Sequence, residues 1–163
     1  MRDSYWTMYV LTKYKERYFW HYLMRARFIN GTITCIYLLI SIPSIATWIF
    51  WNYVPWMWAA LVVIVQIIQA AYPHFPFAKQ ECALRYLLPS LRKLLLDIES
   101  EWRKIDIEKY DDKQIHKLIT KFQEQCNDLE TKYTDIAYMP VSKCCDKKAE
   151  QDCKMYFKNH YDV

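Results

Sequence analysis

Between Arg27 and Lys79 the chain runs for 51 residues without Asp, Glu, Lys or Arg, although 25% of its 163 residues are charged. No other feature restricts the fold as much, because an uncharged block of that length is a membrane signal. It divides into two runs of 19 residues, 33–51 and 54–72, with Asn52 and Pro55 at the turn. At ~1.5 Å per residue each run covers roughly 28 Å, against ~30 Å of hydrocarbon. Lipid offers unpaired backbone groups no solvent, so both runs are expected to be helical spans.

The bases then set an orientation. Arg2, Lys13, Lys15, Arg17, Arg25 and Arg27 precede the first run, and Lys79, Arg85, Arg92 and Lys93 follow the second. The turn has none, so the positive-inside rule predicts an inner-membrane, multi-pass protein with both termini cytoplasmic. Trp48, Trp51, Tyr53, Trp56 and Trp58 fit an aromatic belt at the outer interface. Six cysteines in the membrane or a reducing compartment are not read as a disulfide framework.

Four parts follow. Residues 1–28 are dense in aromatics and carry the whole net charge of +4. Lys13, Arg17, His21 and Arg25 recur every four residues as a basic stripe, with Leu11, Tyr14, Tyr18 and Tyr22 on another face. Two readings stay open: a helix lying on the anionic inner leaflet, or a first helix packed on the cytoplasmic part. Residues 29–78 form the predicted transmembrane hairpin.

Residues 79–138 hold two heptad-like series. Leu84, Leu88, Leu91, Leu95, Ile98, Trp102 and Ile105 form the first; Ile115, Ile119, Phe122, Cys126, Leu129, Tyr133 and Ile136 form the second. Asp111 and Gln114 resemble a capping box at the start of the second. The expectation is a cytoplasmic antiparallel helical pair, coiled-coil-like and able to drive self-association, with Pro89 kinking the first helix. Residues 139–163 read as an irregular tail whose Cys144, Cys145 and Cys153 are unmodified thiols, metal and lipidation being weighed and set aside.

Inside the block, Thr34, Tyr37, Ser41 and Ser44 follow spacings of 3, 4 and 3, and Gln66 and Gln69 share a face. These weakly polar stripes either bond the two spans together, roughly 0.6–2 kcal/mol per bond, or line a water-accessible path in an oligomer.

A single glycine, Gly31, excludes the glycine-rich phosphate loops and the nucleophile elbow. The four histidines lie apart and the acids sit on charged helix faces. The expectation is a non-enzyme with no cofactor, no metal site and no nucleic-acid partner.

The segment WTMYVLTKYKERYFWHYLMRARF, followed at once by the runs 33–51 and 54–72 and by long helices from Lys79, resembles the SLATT family. These are two-transmembrane effector domains associated with bacterial nucleotide-signalling defence systems. The resemblance covers the chain to about Tyr138 and rests on layout and size. It implies a membrane effector that oligomerises and permeabilises or depolarises the inner membrane, as the killing arm of an anti-phage system. Its implied partners are the lipid bilayer, further copies of itself and a cytoplasmic nucleotide-signalling enzyme or sensor. The alternative is a non-toxic membrane anchor presenting a cytoplasmic coiled coil to a partner protein.

Overall fold

A computed structural model describes residues 1–41, 77–107, 110–134 and 139–161, together with Trp56, Ala60, Val63, Ile64, Gln66, Ile67 and Ala70 as isolated helical positions. Among the described residues there are four helices and no strand: α1 (Arg2–Ser41), α2 (Phe77–Ile107), α3 (Asp112–Thr134) and α4 (Lys143–Tyr161).

Helix α1 forms without interruption because no proline or glycine intervenes before Gly31, and a side chain added there would meet nothing within 4 Å. It is the central element, and α2, α3 and α4 all pack on it. Helix α2 runs antiparallel to α1. The Tyr5 hydroxyl donates to the Ile98 carbonyl at 2.9 Å, Arg2 donates to the Ile105 carbonyl at 2.8 Å, and Asn30 reaches Glu81 at the other end. Helix α3 runs back along α2 and parallel to α1: Phe122 meets the Tyr5 ring, and Glu130 accepts from Lys15 at 2.7 Å.

The core is aliphatic on α2 and aromatic on α1. Leu84, Leu88, Leu91, Leu95, Ile98 and Ile105 are all buried, as are Leu87 and Leu94 beside them. The buried face of α2 is therefore wider than a heptad seam, which suits a helix covered by two neighbours rather than one. Ile115, Phe122 and Cys126 are buried on α3, and Trp102, Ile119, Leu129 and Tyr133 are partly buried against the same core. Tyr5, fully buried, stacks on Trp102 with ring centroids 5.9 Å apart.

The start of α3 follows the capping signal. Gln114 returns its side-chain oxygen to the Asp111 N–H at 3.1 Å, while the N–H groups of Gln114 and Ile115 bond the Asp111 carbonyl. Pro89 lies inside α2, and both it and Arg85, whose carbonyl the missing N–H leaves without an intrahelical donor, are exposed residues, so that acceptor is not stranded in the core.

Three expectations are corrected. The all-α membrane fold, the membrane and pore-forming character, and the multi-pass inner-membrane location with cytoplasmic termini are not supported: no helix among the described residues is long and apolar enough to cross a membrane. Within α1 the charges lie at Arg2, Asp3, Lys13, Lys15, Glu16, Arg17, Arg25 and Arg27, and the first 27 residues pack on the other helices instead of presenting an apolar surface to lipid. The run 33–51 is described only as far as Ser41, and 54–72 only at the seven isolated positions, so the hairpin itself lies outside the described residues.

The irregular tail is a further correction. Lys143–Tyr161 is helix α4, with Cys145, Ala149, Cys153 and Phe157 buried one turn apart. Helix α1 runs on through residue 28.

The seams serve the interior of one chain. Leu91→Ala is expected to lower stability by about 2–5 kcal/mol in urea unfolding. Leu95→Lys and Phe122→Lys should unfold the protein by circular dichroism, not merely change its association state.

Candidate functional site

The basic stripe of α1 is taken up by helix α4 and its approach. Lys13 lies 4.1 Å above the Tyr156 ring, His21 Nε2 is 2.9 Å from Asp152 Oδ2, and Arg25 donates to the Ser142 hydroxyl at 2.6 Å. Tyr14 donates to Asp146, and the Ser142 N–H donates to the Tyr18 hydroxyl at 3.1 Å. Between these polar contacts run the small buried residues Cys145, Ala149 and Cys153, which let the two helices approach closely. Toward the far end the contact becomes aromatic: Phe157 and Tyr161 meet Trp6 at centroid distances of 5.1 and 5.0 Å. The stripe is thus a docking track for α4. The His21–Asp152 pair is partly exposed and worth about 0–1 kcal/mol.

Arg17, the remaining member, belongs to a buried ion cluster at the α1–α2 junction. The Glu16 side chain is 3% exposed. It accepts a hydrogen bond from Arg92 Nε at 2.9 Å, with Arg17 Nε at 3.5 Å and Lys13 Nζ at 4.0 Å. Arg92 also lies over the Trp20 ring at 4.9 Å. A carboxylate this far from water is tolerable only because cations surround it. Burial in turn pushes the Lys13 ammonium below its usual range. Tyr9, Lys13, Glu16, Arg17, Arg92, Leu95, Leu96 and Glu99 line a cleft of about 280 Å³ at this point.

A second concavity of about 680 Å³ lies along the α1–α4 contact. Trp6, Val10, Leu11, Cys153 and Phe157 make it apolar, with Glu150, Lys154 and Lys158 along its rim. Leu11 stands 54% exposed within it. Helix α4 packs almost entirely on α1, so its flank here is open.

The polar residues of the uncharged block are not brought together among the described residues. Thr34 is exposed and bonds the Asn30 carbonyl of its own helix at 2.9 Å; Gln66 is exposed. Tyr37 and Ser41 belong to α1, but their side chains, like Ser44 and Gln69 altogether, lie outside the described residues, as does Ile136. Among the described residues no group of three His, Cys, Asp or Glu side chains is placed to hold a metal ion. Cys145 and Cys153 are buried in the α1–α4 seam and Cys144 is exposed.

Sequence reasoning missed Glu16, Tyr9, Trp6 and Arg92 as site residues. One signal was present: Glu16 is the one acid among the bases between Lys13 and Arg27. The α4 stripe had a signal too, a spacing of four through Cys145, Ala149, Cys153 and Phe157, hidden by the low hydrophobicity of cysteine and alanine neighbours.

Comparison with protein-family models, with curated proteins and with solved structures returned no match. The resemblance to SLATT domains therefore stands on the layout of the sequence.

Two outcomes follow from the buried groups. Glu16→Gln, which leaves its cations without a counter-charge, should cost about 1–3 kcal/mol by urea unfolding. At alkaline pH the sign is set by raised pKa values. Burial, reinforced by Glu130, pushes the Cys126 thiol from 9.0 to about 11, and the bond to Asp146 pushes the Tyr14 phenol from 10.0 to about 12. The folded state holds these protons more tightly than the unfolded chain does. Their stabilisation is complete below about pH 9 and is lost as pH rises through 11 and 12. A thermal midpoint that falls across that window, with Cys126 slow to alkylate at pH 9 compared with Cys144, would agree.

Proposed function

We propose that this chain is a non-catalytic helical module that works by self-assembly, with the open α1–α4 face as its interface. The observation that carries this is Leu11, half exposed in an apolar groove beside a helix flank that no other described element covers. Apolar surface of this kind on a folded domain marks an interaction site more often than chance exposure does.

A second copy suits the groove because the rim carries both signs. In a two-fold arrangement Leu11 of each protomer enters the groove of the other, and Lys158 of one faces Glu150 of its partner. That is the self-complementarity an isologous contact requires. The apolar seams of α2 and α3 support the assembly only indirectly, by packing the helices that hold α1; they face the core of one chain.

The resemblance to SLATT domains supports an effector role for this assembly, governed by a cytoplasmic enzyme or sensor. The permeabilising activity that the resemblance also implies needs spanning helices and is not carried forward.

Sedimentation velocity over a concentration series tests the reading. The protein should shift from monomer towards dimer, and Leu11→Glu should hold it monomeric with an unchanged far-ultraviolet spectrum. A wild-type protein that stays monomeric throughout, or a Leu11→Glu protein that associates equally well, would overturn it.

A further inference from the structure

The surface of α3 that faces away from the core carries an ordered pattern of charge. Lys117, Lys121, Glu124 and Asp128 are all exposed, and their spacings are 4, 3 and 4. At ~100° per residue they fall within roughly 60° of arc, on the side of the helix opposite Ile115, Phe122 and Cys126. The stripe is two bases followed by two acids along one line.

Within one chain this order is unfavourable. Lys117 and Lys121 are four residues apart, as are Glu124 and Asp128, so both pairs at that spacing are like-charged. Other helices use the spacing in the opposite way. Arg85 with Glu81, Arg103 with Glu99 and Lys154 with Glu150 close at 2.6, 2.6 and 2.7 Å. None of the four stripe residues makes an ion pair among the described residues. Lys121 only approaches the ring of its neighbour Phe122, at 5.8 Å. The stripe is charged, ordered and left uncovered.

We infer that this stripe is a second contact between copies of the chain, made with the same stripe of a partner running antiparallel. Turned end for end, the pattern is its own complement. Lys117 then faces Asp128 of the partner subunit, and Lys121 faces Glu124 of the partner subunit. The two-fold axis makes each of these pairs twice. A parallel arrangement in register sets like charge on like, so the pattern selects one orientation. Solvent-exposed pairs are individually weak and screened by salt, so the contact orients copies more than it binds them. None of the four residues lines the α1–α4 groove. A chain with two different two-fold contacts is not saturated as a dimer; it continues to a closed D2 tetramer or to an open chain. Closure into the tetramer engages two α3 contacts at once, which offsets the weakness of each. That last step rests on the self-assembly proposed above, whereas the α3 contact stands without it.

The test is sedimentation of the full chain carrying Leu11→Glu, which silences the α1–α4 face, at up to about 1 mM protein. The expected result is reversible association in ~0.01 M salt that disappears in ~0.5 M salt. Near ~0.15 M salt the same protein stays monomeric, because the exposed pairs are screened. Two variants in this background separate the pattern from net charge. Lys121→Asp with Asp128→Lys keeps the net charge but makes every facing pair like-charged, and should weaken association by about tenfold or more. The opposite pairs it creates four apart within α3 keep that helix folded. Reversing all four charges with Lys117→Glu, Lys121→Glu, Glu124→Lys and Asp128→Lys recovers the complementary order and should recover association. A rearranged stripe that associates as strongly as the native one, or a full reversal that does not, overturns the inference. Wild-type dimers at ~0.15 M salt, beside a Leu11→Glu protein that is monomeric even at ~0.01 M, reject the α3 contact and leave the α1–α4 face standing. Association of both proteins at low salt only supports the α3 contact and rejects that face.

Discussion

Helix α1 has to satisfy three neighbours at once, and the rest of the structure depends on how it does so. Along one face Tyr5, Tyr9, Phe19 and Leu23 meet the leucine face of α2. Along another, Lys13, His21 and Arg25 receive α4 and its approach. Lys15 ties the third side to α3 through Glu130. A helix surrounded in this way can carry charge only where each charge finds a partner, and Glu16 is the place where the requirement is sharpest. Its carboxylate is out of water, so Arg92 must come from α2 to meet it. The register of α1 against α2 is fixed by that pair as much as by the leucines.

The two contacts of α1 differ in kind. Towards α2 the interface is broad and aliphatic, and its stability comes from apolar area removed from water. Towards α4 it is narrow, built on two cysteines, an alanine and Phe157, and flanked by half-exposed polar pairs. The polar pairs are individually weak, so the α1–α4 contact rests on its buried small residues and on Trp6 and Tyr9 packed against Phe157 and Tyr161. The proposed assembly face lies along the α1–α4 boundary.

What could be read from the sequence depended on whether a residue's partner lay on its own helix. The spacings from Leu84 to Ile105 and from Ile115 to Leu129 gave two amphipathic helices, and the Asp111–Gln114 box gave the start of the second. The basic stripe was legible as a stripe, but its destination was not. Lys13, Arg17, His21 and Arg25 have the same spacing whether they face lipid headgroups, water or Tyr156, Glu16, Asp152 and Ser142. Residues 143–161 were unreadable for a different reason. Their buried positions are Cys and Ala among Lys and Asp, so the hydrophobic contrast that marks a packed helix was too low. Helical periodicity was present without the apolar weight that normally exposes it.

By itself the sequence determined the helical class, the two amphipathic helices, the cap between them and the absence of glycine-dependent phosphate loops. These follow from local spacing and from backbone sterics, which need no partner in space. Only the tertiary structure decided that the seams turn inward, that the tail is a helix bound to the basic stripe, and that Glu16 gathers three cations. Among the described residues no helix is long and apolar enough to cross a membrane. Those outcomes depend on contacts between residues tens of positions apart, and a one-dimensional pattern records the face a residue occupies but not what that face meets.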